Sequence, residues 1–278
     1  MTDLPRRIIP VLLLLTAALP GGAAPEPALV IRPGEYTEFI APLSEELQQL
    51  AGTERPNSVT SALGAVAVPA DFTPDRTWPV LIVSASADPG YNFSSRRMLR
   101  VFLAPALAAG WIVIAADAPE TRDADTGTRR YALILAVIER LQRQWPQLPA
   151  WPRAFGGFSG GAKRAASLAA MSTALGRRPI GVFQGGCNEP AMRYVKPRAQ
   201  PARGQFLSVP VFLSGGTDDR IAPLDAVEDV GADLQRGGFA HVRVEHFGGE
   251  HEVHPPHVKE ALRWFVKLAP KAPPAGAP

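Results

Sequence analysis

The chain has 278 residues, 46% of them apolar and 20% charged, a balance that excludes disordered, collagen-like and coiled-coil chains and suits one large α/β domain or two small ones. Its 29 Lys and Arg stand against 26 Asp and Glu, and because these charges are scattered and not massed in one run, no nucleic-acid partner is expected. The single cysteine, Cys187, excludes an internal disulfide framework and a cysteine-rich zinc site.

In chain order, Arg6 and Arg7 precede an apolar run over residues 8–19, and Pro20-Gly21-Gly22-Ala23-Ala24 then offers the small residues that a signal peptidase pocket accepts. Residues 1–24 therefore read as a signal peptide, and the mature chain is expected to be secreted or periplasmic. An apolar run of about 12 residues is too short for a hydrocarbon core of ~30 Å. With no cysteine at the cleavage site to carry a lipid, no stable membrane anchor is expected. Residues 25–60 read as a lead-in segment.

From Ser61 onward, short β-rich runs alternate with longer helical stretches, the pattern of a mostly parallel sheet covered on both faces. Strands are predicted over residues 65–68, 79–85, 111–116, 153–158, 180–184, 209–214 and 242–247. Several, such as Val80-Leu81-Ile82-Val83, are apolar on both faces. The clearest helix is predicted over 128–145, where Tyr131, Ile134, Leu135, Ile138, Leu141 and Trp145 recur at helical spacing and read as core. Residues 162–175 are rich in Ala and Ser, as a helix pressed closely on a sheet requires, and a last helix is predicted over 256–268. Residues 269–278 form a Pro- and Ala-rich tail.

Gly157-Phe158-Ser159-Gly160-Gly161 follows a predicted strand and opens a predicted helix, the context that makes Gly-x-Ser-x-Gly informative. A serine on so sharp a turn is strained, and residues without bulk two positions to either side let strand and helix approach. The hydroxyl then projects clear of the sheet, while the Gly160 N–H points from a helix N-terminus toward a developing oxyanion. A serine alone is a poor nucleophile at neutral pH, so a base held in one tautomer by a carboxylate is needed. Downstream, Gly215-Gly216-Thr217-Asp218-Asp219 ends one predicted strand and Phe247-Gly248-Gly249-Glu250-His251 ends the next. Strand carboxyl ends are where open α/β sheets collect ligand chemistry. All five histidines, His241, His246, His251, His254 and His257, fall close together. The Pro255-Pro256 pair breaks the common helical face of the last three, so no metal is expected and His251 is the candidate base.

Serine, then acid, then histidine is the chain order of α/β-hydrolases, and from about Ser61 to Lys267 the chain resembles that superfamily. Among its branches it looks most like secreted, lid-poor esterases related to polyhydroxybutyrate depolymerases and dienelactone hydrolases. The resemblance implies a doubly covered, mostly parallel sheet over residues 61–268 without a cap domain, a Ser-Asp-His triad and no cofactor. Such proteins commonly carry the acid in Gly-x-x-Asp-x-x-x-Pro, which Gly216, Asp219 and Pro223 match. Asp219 is thus the expected acid and Asp218 its runner-up. Members that place the acid one strand earlier nominate Glu189.

Many members have His-Gly after the third strand, where a backbone N–H completes the oxyanion hole. Here Ser84-Ala85-Ser86-Ala87 stands instead. A backbone donor does not depend on its side chain, so Ala85 or Ser86 is expected to supply the second N–H, and Ser86 can add its hydroxyl. Only 60 residues separate Ser159 from Asp219, so an open site reachable by a small-molecule or polymeric ester is expected, with Tyr91, Phe93 and Tyr194 as wall residues. Arg193, Lys196, Arg198 and Arg203 make the connection before the acid basic, and read as a solvated loop. The expected activity is carboxylic ester hydrolysis. A peptidase of the same fold and a catalytically silent binding protein are the alternatives.

Overall fold

The computed structural model describes residues 28–53, 58–86, 94–119, 125–195 and 203–269. The expected signal peptide, the tail beyond Ala269, and Tyr91, Phe93, Lys196 and Arg198 lie outside the described residues, as does the side chain of Arg203. Eight strands form one sheet: β1 (Tyr36–Pro42), β2 (Ser61–Ala67), β3 (Val80–Ser84), β4 (Ile112–Asp117), β5 (Arg153–Phe158), β6 (Gly181–Gly185), β7 (Val211–Gly216) and β8 (Val242–Phe247). Their spatial order is β1-β2-β4-β3-β5-β6-β7-β8. β1 pairs antiparallel with β2, and β2 with β4. Every other pair is parallel.

All seven predicted strands are present, with ends displaced by a few residues. The lead-in is more than a connection, because its residues 36–42 form β1 and Glu45–Ala51 forms a helix, α1. β1 escapes a sequence reading because it is an edge strand with one buried face, on which only Phe39 and Ala41 are inside. The central β3, by contrast, is buried at all five positions.

Helices α2 (Ser95–Leu107) and α8 (Pro255–Leu268) cover one face, packing Leu99, Phe102, Leu262 and Phe265 on Leu81, Val83 and Phe183. The other face carries α1, α3 (Gly127–Gln142), α4 (Gly160–Ala174) and α7 (Leu224–Arg236), with Ile138, Leu168 and Val230 over Ile82, Ile114 and Val211. Two short helices, α5 (Ala191–Val195) and α6 (Arg203–Leu207), lie between β6 and β7. The predicted helix over 128–145 ends early at Gln142, yet Trp145 stays in the core beyond it. Among the described residues no helix is long and apolar enough to cross a membrane.

The chain leaves β3 through α2 on one face and leaves β5 through α4 on the other. The winding therefore reverses at β3, and a crevice opens at the carboxyl ends of β3 and β5, the place where doubly wound sheets gather their chemistry.

Candidate active site

Ser159 occupies the turn from β5 into α4 with φ 55° and ψ −123°, and among the described residues it is the only non-glycine at positive φ. Such a conformation costs roughly 1–3 kcal/mol and persists only where the surroundings over-determine it. They do so here. The Ser159 N–H donates to the Gly185 carbonyl at 2.8 Å, and the Ser159 carbonyl accepts from the Ala162 N–H at 2.9 Å. A Cβ on Gly157 would lie 2.2 Å from the Gly161 carbonyl oxygen, and one on Gly161 would lie 2.3 Å from that of Ser84. The glycine spacing of the motif is thus a steric requirement of strand meeting helix.

Asp219 lies just past β7 with its side chain only 1% exposed. Its Oδ1 accepts the N–H groups of Ile221 and Ala222, both at 2.8 Å, which leaves Oδ2 for His251 Nδ1 at 2.7 Å. A carboxylate only accepts, so Nδ1 carries the proton and the basic lone pair sits on Nε2. The two loops are joined by their backbones as well: Thr217 N–H donates to Phe247 O and Asp218 N–H to Gly249 O, each at 2.9 Å. The Asp218 side chain is exposed, and it is Asp219 that bonds His251.

The imidazole reaches the serine turn by way of two residues that sequence reasoning passed over. Phe158, the neighbour of Ser159, stacks obliquely on the His251 ring with centroids 4.5 Å apart. At Gly186 (φ 54°) a Cβ would lie 2.9 Å from His251 Cε1 and 2.7 Å from Phe158 Cε2, so both rings occupy space that only glycine leaves open. The Gly185-Gly186 pair directly after an apolar strand was the available signal.

Of the two candidates for the second oxyanion N–H, Ala85 has its N–H engaged, donating to the buried Ser95 Oγ at 3.2 Å. Ser86 packs against Gly160, where a Cβ would fall 2.3 Å from Ser86 Oγ. Glu189 is drawn elsewhere by an ion pair with Lys163. Burial pushes the Cys187 thiol up to about 11, so it stays protonated at neutral pH and does not compete as a nucleophile.

A groove of about 450 Å³ opens beside Gly160, lined by Lys163, Arg164, Ser167, Met171 and Val195. Tyr194, expected in its wall, is 65% exposed, and its neighbour Val195 lines the groove instead. Arg193 of the basic connection is paired with Asp233. His254 stacks on Phe247 at 4.4 Å, and His257 is buried with Nδ1 2.9 Å from Ser214 Oγ. His241 and His246 are exposed.

No family model matches the chain, and no curated protein matches it either. Solved structures do. A cold-adapted esterase from an Arctic intertidal metagenomic library superimposes with TM-score 0.53 at 13% identity, over 84% of this chain and 93% of that one. Est1E from Butyrivibrio proteoclasticus, solved with ferulic acid bound, gives 0.52 at 14% identity over 74% and 94%. Esterase Est2 of the planctomycete Thermogutta terrifontis, solved with butyrate, gives 0.52 at 15% over 77% and 92%. With its eight-stranded, doubly covered, mostly parallel sheet and these structural neighbours, the chain has the α/β-hydrolase fold.

Proposed function

We propose that the protein is a serine hydrolase that cleaves carboxylic esters through an acyl-enzyme, with Ser159 as nucleophile, His251 as general base and acid, and Asp219 as the group that orients the imidazole. The observation that carries this reading is a positive-φ serine on a strand-to-helix turn whose neighbour Phe158 packs against an imidazole held by a buried carboxylate. Esterases among the structural neighbours support the same chemistry.

Ser159 Oγ attacks the ester carbonyl carbon while His251 Nε2 takes the hydroxyl proton. The carbonyl electrons move onto oxygen, which the N–H groups of Gly160 and Ser86 receive. Losing such a donor costs about 10² to 10³ in rate. Collapse of the intermediate breaks the bond to the alcohol oxygen, which leaves with the proton from Nε2. Water then gives a proton to Nε2 as it attacks the acyl-enzyme, and the second collapse returns that proton to Ser159 and frees the carboxylic acid. Throughout, the Asp219 carboxylate steadies the imidazolium and stays ionised. The groove beside Gly160 accommodates one arm of the ester, with Met171 and Val195 as its apolar lining.

The test is a fluorophosphonate label followed by a panel of p-nitrophenyl and aromatic esters. Labelling of the wild type, its loss in Ser159→Ala, and turnover of at least one ester are expected. A protein that folds but neither labels nor turns over would be a binding protein of the same fold. Export is part of the proposal: Arg6 and Arg7 before an apolar run and small residues support it. Sequencing of the exported protein should then find its N-terminus near Ala24 or Pro25.

A further inference from the structure

Behind the oxyanion side of the site lies a buried charge network that the ester reading does not use. Asp117, the last residue of β4, receives the N–H of Ser95 at 2.8 Å and Arg130 Nη1 at 2.9 Å on Oδ1. Its Oδ2 receives the Arg96 N–H at 3.1 Å, together with the Ser94 hydroxyl. Arg130 projects from α3, buried, and grips Asp125 with Nε and Nη2 at 3.2 and 2.7 Å. Its Nη1 also donates to Ser95 Oγ at 2.8 Å.

Burial opposes ionisation of Asp117, but the Arg130 guanidinium and the hydrogen bonds from Ser94, Arg96 and Ser95 outweigh it and hold the carboxyl below its usual range. Burial likewise opposes the Arg130 charge, and Asp125 with Asp117 overcomes it. Both groups are therefore ionised at neutral pH, and burying ions is expensive enough that it calls for a use.

The use lies in where the network ends. Ser95 Oγ, fully buried at the start of α2, accepts the N–H of Ala85. On the other side of that residue, a Cβ on Gly161 would come within 3.1 Å of both the Cα and the carbonyl carbon of Ala85. Ala85 is hydrogen-bonded at its nitrogen to the network, and its backbone lies so close to α4 that only glycine fits at position 161, which leaves the peptide leading into Ser86 little room to shift.

We infer that Ser95 and Arg130 are positioning residues for the oxyanion hole: they fix the Ala85–Ser86 peptide against Gly160 through the chain Asp125, Arg130, Ser95, Ala85. Neither residue touches substrate. This inference rests on the ester-hydrolase reading, since it presumes an oxyanion to receive. A misplacement of about 1 Å in such a donor costs up to roughly 10² in rate.

The test compares the full-length wild type with Ser95→Ala and Ser95→Cys, with active sites counted by fluorophosphonate labelling. In Ser95→Ala, kcat per labelled site should fall about tenfold to a hundredfold with KM nearly unchanged. Affinity for a trifluoromethyl ketone, which forms a tetrahedral oxyanion on the serine, should fall by the same factor, and affinity for an ether analogue lacking the carbonyl should hold. Ser95→Cys, which keeps a weak acceptor, should recover part of the loss. Arg130→Lys, which keeps a charge beside Asp117 but loses the fork that reaches Ser95, serves as a second variant should Ser95→Ala not fold, and the same pattern is expected. Unchanged kcat per labelled site, with only fewer sites or a lower Tm, would overturn the inference and leave Asp117 and Arg130 as a helix cap. A wild type that neither labels nor hydrolyses would overturn the ester reading itself, and this inference with it.

Discussion

Substituting Ser159 in two ways separates chemistry from strain. Ser159→Ala removes the hydroxyl proposed as nucleophile and keeps a Cβ at φ 55°, so turnover should vanish while Tm stays close to that of the wild type. Ser159→Gly removes the Cβ too. Relief of roughly 1–3 kcal/mol of strain, less the ~0.5–1 kcal/mol that glycine costs in the unfolded chain, leaves about 1 kcal/mol at mid-range and should raise Tm by about 2–4 °C, measurable by calorimetry. The aspartates are separable by rate: Asp219→Asn should lower kcat by about 10⁴ through the wrong tautomer of the imidazole, and Asp218→Asn far less, because its side chain faces solvent. A reversed ranking would move the acid role to Asp218. The strained turn at Ser159 and the contact between Asp219 and His251 were legible because each of the three residues stands in a short Gly-containing motif at the end of a predicted strand. The destination of the Ala85 N–H was not legible. It is decided by Ser95, a residue in a different element whose hydroxyl carries no pattern in the sequence.

Helix α8 holds a group whose protonation bears on stability. Burial first, then the charge of the neighbouring His254, keep His257 below the ordinary histidine range. The unfolded chain therefore binds more protons than the folded one below about pH 6.5, and the stability present above that value is lost as the pH falls toward the folded pKa. Tm should decline between pH 7 and pH 5. His257→Gln should lower Tm at pH 7 through the altered bond to Ser214, and should flatten that decline. A decline equally steep in the variant would assign it to other groups. Elements buried on both sides, such as β3 and β4, announce themselves by apolar runs, Val80-Leu81-Ile82-Val83 and Ile112-Val113-Ile114-Ala115-Ala116. Helix α2 does not, since Pro105 interrupts it and its first turn carries Arg96 and Arg97. Arg129, Arg130 and Arg140 give α3 the look of a solvated face, although all three are buried. Periodicity reports where apolar side chains go, and is silent on charges that are buried in pairs.

Across the whole sheet, the site is spread over the ends of consecutive strands. The Ser159 N–H donates to Gly185 O beyond β5, Gly186 N–H to Ser214 O in β7, and Thr217 N–H to Phe247 O in β8. Each strand end is thereby steadied by the next, and the last of them, β8, pairs on one side only. Loosening that starts at this edge removes His251 from the site before it disturbs the core. In urea, with Trp264 of α8 replaced by Phe in the protein used, ester turnover should fall at a lower concentration than tryptophan fluorescence, since the remaining Trp78, Trp111, Trp145 and Trp151 are buried and lie outside β7, β8 and α8. Coincident transitions would show that edge and core melt together.

The same arrangement has a consequence for biosynthesis. Apart from the exchange of β3 and β4, the strands lie side by side in the order in which a ribosome would release them. The growing chain can add each new strand to an existing edge, with β7 and its aspartate arriving before β8 and its histidine. A nascent chain halted after α7 would already hold Ser159 and Asp219, and would lack His251, the base of the proposed triad. On the proposed reading, the machinery waits for β8 and α8, which join a sheet whose other strands have already been released.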